Sequence, residues 1–226
     1  MALMTSRRPL HIYCDFDGTI TMKDNIIELM NTYAPKEAKT IIQQVLTKDV
    51  PIQDGVGRLF SFLPSSRQKE FRQHLVSTAT IRPGFEELIG YCQTEEIPLT
   101  IVSGGIDFFI YPILAGFVSI DDIYCNEADF SHEKIRIIWP YTCDSACQNE
   151  CGCCKPSIIR KIGQSHEKVI VIGDSVTDIE AAKLADLTLS CGKVLSDECQ
   201  SLGLPYKDFH SFHEVIHILE KEWIPI

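Results

Sequence analysis

Apolar positions along the chain follow two rhythms. Leu10-His11-Ile12-Tyr13-Cys14, Leu99-Thr100-Ile101-Val102 and Lys168-Val169-Ile170-Val171-Ile172 are short, almost continuous apolar runs, and each stops at a polar or glycine cluster. Runs of this length, rich in β-branched residues and without polar alternation, predict parallel strands buried on both faces of a sheet. A second rhythm fills the stretch between the first two runs. Ile26, Ile27, Leu29 and Met30, then Ile41, Ile42, Val45 and Leu46, then Val56, Leu59, Phe60 and Leu63 recur at helical spacing. This is too much chain for one crossover, and it predicts a helical insertion with helix boundaries at Pro35, Pro51 and Pro64.

The expected organisation is therefore an α/β core from residues 1–21 and 80–226, interrupted by a helical cap at 22–79. Within the core, a helix is expected over 107–115, a hairpin from 123–126 and 134–139, a strand at 187–189 and an amphipathic helix over 211–223. In parallel sheets, ligands bind beyond the carboxyl ends of the strands. The clusters that follow the three runs lie there: Asp15 onward, Ser103-Gly104-Gly105, and Gly173-Asp174.

Bulk properties narrow the partners. With 226 residues, 45% of them hydrophobic, the chain can build a full core. A formal net charge of -10 repels nucleic acid and anionic membranes, so a phosphate-bearing partner must be gripped locally. A small phosphorylated metabolite fits, whereas nucleic acid and membrane do not; oligomeric state is not legible. No apolar run has the length of a membrane span, and residues 1–9 lack the apolar core of a signal peptide, so the expected location is the cytoplasm. The ten cysteines then read as reduced thiols or metal ligands rather than disulfides, and five of them, Cys143, Cys147, Cys151, Cys153 and Cys154, share one loop at 143–154.

A carboxylate can attack a phosphoryl group only where the phosphate's charge is offset, since two anions otherwise repel. Mg²⁺ favours hard oxygen ligands, which suits Asp15 and Asp174 at neighbouring strand ends, with Asp15 also the nucleophile. Asp17, two residues on, places a second carboxyl beside the first and could protonate the leaving group and then activate water. Ser103 and the amides of Gly104 and Gly105, read as the start of a helix, would hold phosphate oxygens. Lys155 could bring a point charge to the same oxygens, and Asp178 could orient that lysine or a metal-bound water.

These four groups, Asp15-Phe16-Asp17-Gly18-Thr19, Ser103, Lys155 and Gly173 through Asp178, resemble in order the motifs of the haloacid dehalogenase-like superfamily. The resemblance implies a Rossmann-like core with a helical cap between the first two motifs. It also implies Asp15 as nucleophile, Asp17 as acid/base with its backbone carbonyl on the metal, Ser103 and Lys155 on the phosphate, and Asp174 on magnesium. Longer phrases, Ser103 through Pro112 and Cys151-Gly152-Cys153-Cys154-Lys155-Pro156, resemble a methionine-salvage branch of that superfamily. Its members dephosphorylate 2-hydroxy-3-keto-5-methylthiopentenyl-1-phosphate to an acireductone. The alternatives are phosphoserine or another small metabolite as substrate. A dehalogenase would have no need of Asp17.

Other features carry plainer readings beside functional ones. The cysteine loop lacks the paired two-residue spacing of common zinc knuckles; it offers enough thiolates for a structural zinc, but packing thiols are the competing reading. A redox or metal sensor built on that loop is the competing function class. Arg58, Phe60 and Phe62 could select substrate from the cap, with helix packing favoured for the two aromatics. His213 and His217 read as one solvated helix face, Thr19 and Thr21 as local packing.

Overall fold

The computed structural model describes residues 9–47 and 49–222; residues 1–8, read above as lacking a signal core, and Trp223 lie outside them. Strand β1, Leu10–Cys14, is followed by four helices: α1 (Asn25–Tyr33), α2 (Pro35–Leu46), α3 (Ile52–Phe60) and α4 (Gln68–Thr78). Pro35 stands at the first position of α2 and Pro51 caps α3, where a missing N–H costs nothing. Helix α5 (Phe85–Thr94) leads into β2 (Leu99–Ile106), α6 (Asp107–Leu114), β3 (Ile123–Asp129) and β4 (Arg136–Ile138). After the cysteine loop come α7 (Lys155–Ile162), β5 (Lys168–Gly173), α8 (Ile179–Ala182), β6 (Leu187–Ser190), α9 (Lys193–Leu202), β7 (Tyr206–Asp208) and α10 (Phe212–Glu222).

The seven strands form one sheet in the order β4-β3-β2-β1-β5-β6-β7, parallel except for the antiparallel β3–β4 pair. Ile12, Cys14, Ile101, Ile170 and Ile172 are fully buried, as continuous apolar runs covered on both faces require. The chain builds outward from β1 through β2 and β3, then returns to β5 on the other side of β1. That reversal opens a crevice at the carboxyl ends of β1 and β5, the switch point at which such sheets take ligands. Cys14 pairs with Ile172 across the two strands, and Asp15 N donates to Ile172 O at 2.9 Å. Asp15 and Asp174 thus leave the sheet side by side.

Among the described residues, no helix is long and apolar enough to cross a membrane. At the other end of β1, His11 is buried, with Nε2 2.8 Å from Thr100 Oγ1 and Nδ1 3.4 Å from Glu167. Burial holds its pKa below the ordinary 6.5, and Glu167 only partly opposes this. A histidine kept neutral in the fold must be charged at no gain as acid is added. Its stabilisation is present above pH 6.5 and fades as pH falls below that value, by at most about 1.4 kcal/mol per pH unit. Thermal midpoints of the unaltered chain and of His11→Gln, compared at each pH from 8 to 5, should move in the variant's favour as pH falls.

Candidate active site

Three carboxylates, from Asp15, Asp174 and Asp178, each offer an oxygen within 4.8 Å of the others. One cation faces them. Lys155, the first residue of α7, extends Nζ to 2.7 Å from Asp15 Oδ1 and also bonds Asp178 Oδ1. Asp178 is fully buried, and its Oδ2 accepts from the amides of Asp174 (3.0 Å) and Ser175 (3.1 Å). It therefore fixes both the lysine and the turn that presents Asp174. Thr19 Oγ1 stands between the other two carboxylates, 3.5 Å from Asp15 Oδ2 and 3.3 Å from Asp174 Oδ1.

Burial dominates the electrostatics. It lifts Asp15 to about 7 against the pull of Lys155, and Asp174 to about 8 with Asp15 and Asp178 adding to the rise. Burial works against a charged Lys155, but Asp15 and Asp178 outweigh it and hold the ammonium well above its ordinary pKa. Three carboxylates, when ionised, outnumber the one ammonium that pairs with them, which leaves negative charge uncompensated among buried and half-buried groups. A hard oxygen donor set with that deficit fits a small divalent cation such as Mg²⁺.

Asp17 is not part of this carboxylate group. Its Oδ1 accepts from Asn25 N at 2.9 Å and Asn25 Nδ2 at 2.6 Å, while Oδ2 is buried with no partner. Burial first, then the nearby Asp24, raises its pKa well above the carboxylate range, so the acid form is favoured. With both Asn25 donors on Oδ1, the proton belongs on Oδ2. Gly105 makes room for that oxygen: a Cβ there would come within 2.4 Å of it. Gly18 plays the matching part for Asp174, having φ +80° and a hypothetical Cβ 2.5 Å from Asp174 Oδ2.

The Ser103-Gly104-Gly105 cluster departs from expectation. It lies in the last part of β2, where pairing with β3 shifts register, and α6 begins only at Asp107. Its amides are therefore not helix N-terminal. Gly105 N is already used by Ser103 Oγ at 2.9 Å, and Ser103 is fully buried. Glycines in a bulged strand end let the backbone turn toward the crevice without side chains in the way.

A cavity of about 180 Å³ opens from these residues toward the inserted helices. Asp15, Asp17, Asp24, Ser103, Ser175 and Thr177 are its polar residues, and aliphatic side chains that include Ile26, Ile42, Val45, Ile52 and Val56 make up most of the rest. Arg58 does not reach it. It is exposed, 3.7 Å from Asp54 on its own helix, beside a separate cleft with Trp139. Phe60 is buried edge-on against Phe108, and Phe62 is exposed, so neither aromatic lines this cavity. His213 and His217 are exposed and pair separately with Glu87 and Glu220.

Four of the five loop cysteines, Cys143, Cys147, Cys151 and Cys154, bring their sulfurs within 4.8 Å of one another. Cys153, expected with them, does not join: it is buried, with Sγ 3.6 Å from Tyr124 O.

Arg82, Asn25 and Thr19 are supports that sequence reading missed. Arg82 is buried and donates to Thr19 O and Gly18 O, each at 2.7 Å, pinning the turn after Asp17. A lone arginine at the edge of an insertion gives no pattern to find it by. Thr19 carried a usable signal, being four residues from Asp15 in a turn that must come back toward the strand end.

The family model described as haloacid dehalogenase-like hydrolase matches residues 12–183. Bifunctional enzyme MtnB/MtnX of Bacillus licheniformis is 49% identical over 223 residues, which is 96% of this chain and 52% of that protein, so the chain spans about half of that relative. The 2-hydroxy-3-keto-5-methylthiopentenyl-1-phosphate phosphatase of Bacillus pumilus is 48% identical, covering 91% of this chain and 88% of its own length. The protein of the same name from Geobacillus thermodenitrificans is 46% identical, covering 95% and 97%. A phospho-aspartyl intermediate analogue of phosphoserine phosphatase superposes with TM-score 0.71 at 19% identity, over 94% of this chain and 99% of that one, a likeness of fold. With ordered motifs, a matching sheet and relatives near half identity, the chain belongs to the haloacid dehalogenase-like hydrolase family.

Proposed function

We propose that this chain is a phosphoric monoester hydrolase that converts 2-hydroxy-3-keto-5-methylthiopentenyl-1-phosphate to 1,2-dihydroxy-3-keto-5-methylthiopentene in methionine salvage. The observation that carries the reading is the carboxylate pair of Asp15 and Asp17 at the polar end of a largely aliphatic cavity, in a chain whose relatives of 44–48% identity bear that phosphatase name.

In the proposed reaction, an Asp15 oxygen attacks phosphorus as the bond to the enol oxygen breaks, and the Oδ2 proton of Asp17 goes to the departing enolate. Asp17, now a carboxylate, takes a proton from water. That water's oxygen attacks phosphorus, releasing phosphate and restoring Asp15. Lys155 and Ser103 hold the phosphate oxygens, aided by the Gly104 backbone, and Asp178 keeps Lys155 in place. Asp15 and Asp174, with the Asp17 carbonyl, would hold Mg²⁺, which when bound offsets negative charge on the phosphate and carboxylates.

The helices α1 to α4, residues 22–79 in full, act as the cap on the core formed by 1–21 and 80–226. The aliphatic lining from Ile26, Ile42, Val45 and Val56 suits an apolar methylthio tail. Phosphoserine would have to place an ammonium and a carboxylate against that aliphatic lining, with Asp24, Ser175 and Thr177 as the cavity's further polar residues. The thiol cluster stands outside this reaction. Since phosphorylated intermediates are retained in cells by their charge, the activity belongs in the cytoplasm.

Phosphate release from the enol-phosphate and from phosphoserine, measured side by side with Mg²⁺ and with chelator, tests the reading. We expect kcat/KM for the enol-phosphate to lead by about 10²-fold or more, a difference of about 3 kcal/mol in transition-state binding. A preference for phosphoserine would replace the substrate assignment, and turnover undiminished by chelator would refute the metal requirement.

A further inference from the structure

The loop between β4 and α7 gathers four thiols that the phosphatase chemistry does not use. Cys143, Cys147, Cys151 and Cys154 place their sulfurs within 4.8 Å of one another, and Cys147 and Cys151 are 3.8 Å apart. A zinc ion with Zn–S bonds of about 2.3 Å in tetrahedral geometry sets its sulfurs about 3.8 Å apart. The observed spacing thus matches the edge of a four-thiolate tetrahedron, and it leaves room for one ion but not for a larger cluster.

The surroundings are those of a ligand shell. Ser157 Oγ donates to Cys154 Sγ at 2.9 Å, and Asp144 N in turn donates to Ser157 Oγ at 2.9 Å. Arg160 grips Asp144 with two bonds of 2.8 and 2.6 Å, tying the loop to α7. Hydrogen bonds from a second layer that orient and stabilise thiolates are a recurring feature of metal sites. Cys147 and Cys154 are buried, while Cys143 and Cys151 are partly exposed, leaving an entry path. Cys153, next to Cys154 in the chain, points away to Tyr124, so the loop sorts its thiols into four that converge and one that packs.

We infer that Cys143, Cys147, Cys151 and Cys154 form a closed, structural zinc site. Its consequence lies one residue away. Cys154 immediately precedes Lys155, so an ion held there anchors the first turn of α7 and with it the ammonium beside Asp15. The inference does not depend on the phosphatase reading, because metal content is measured without substrate.

The full chain, produced with zinc in the medium and purified under reducing conditions, should carry about one zinc per chain by elemental analysis. Cys143→Ser/Cys151→Ser should lower that to about one tenth or less, whereas Cys153→Ser should retain it. Should the double variant fail to fold, cobalt exchange into the unaltered chain decides: intense sulfur-to-cobalt charge-transfer bands with tetrahedral visible bands support the site. Zinc at trace level, iron in its place, zinc unchanged by the double substitution, or a cobalt spectrum without sulfur bands would each overturn it.

Discussion

Asp15→Asn should abolish turnover, lowering kcat by about 10⁴-fold or more, while the thermal midpoint holds or rises. Loss of the nucleophile removes the covalent route altogether, and the residual groups supply only positioning. The stability part follows from the site's electrostatics. Asp15 is buried beside Asp178 and within 4.8 Å of Asp174, and burial already lifts its pKa to about 7. Replacing it with a neutral isostere relieves like-charge crowding, though Lys155 gives up a partner at 2.7 Å and keeps Asp178. Steady-state phosphate release with circular dichroism melting on the same sample checks both. A folded variant that retained turnover would overturn the assignment of Asp15 as nucleophile, and a lowered thermal midpoint would show that the lost Lys155 pairing outweighs the relief of crowding.

The parallel core is legible in the sequence because its strands are covered on both faces, so burial writes an uninterrupted apolar run. Residues 10–14, 99–102 and 168–172 all fall inside observed strands. The same logic explains the misses. Strand β7 has only three residues at the sheet edge, where half-exposed Tyr206 and Lys207 leave no apolar signature. β2 continues through Ser103, Gly104 and Gly105 to Ile106, which rejoins β3 opposite Asn126 after a register shift, so pairing on both sides of that glycine-rich stretch, not its own propensity, makes it part of the strand. A helix start was the natural local reading of such a segment.

The chemistry-bearing residues follow the same division. Asp15, Lys155, Asp174 and Asp178 stand in recognisable local phrases, and the structure brings all four together. Arg82 and Asn25 act from 63 and 8 residues away through single side chains, a kind of contact that leaves no periodic trace. In the inserted helices, periodicity marks which positions are apolar without telling whether they face a core or a cavity. Val45 and Val56 line the cavity; Phe60, about one turn on from Val56 in α3, does not.

Asp17→Asn should separate the two halves of the reaction. The Asp17 carboxyl acts at two moments: as an acid its Oδ2 proton neutralises the departing oxygen, and as the resulting carboxylate it takes a proton from water. An enolate departs more readily than a simple alkoxide, so the first half should be slowed less for the enol-phosphate than for an alkyl phosphate. The second half has no such relief, because water needs a base whatever the substrate was. The amide is close in size to the carboxyl it replaces, and Asn25 can still donate to the side-chain oxygen at the Oδ1 position. We therefore expect steady-state kcat to fall by about 10²- to 10⁴-fold, with a rapid first turnover of enol-phosphate and a phosphoryl group retained on the protein. Quenched-flow measurement of the burst, with mass spectrometry of the peptide carrying Asp15, reads both. Equal slowing for enol and alkyl phosphates with no retained phosphoryl group would place the loss in the first step and deny Asp17 its role as the base.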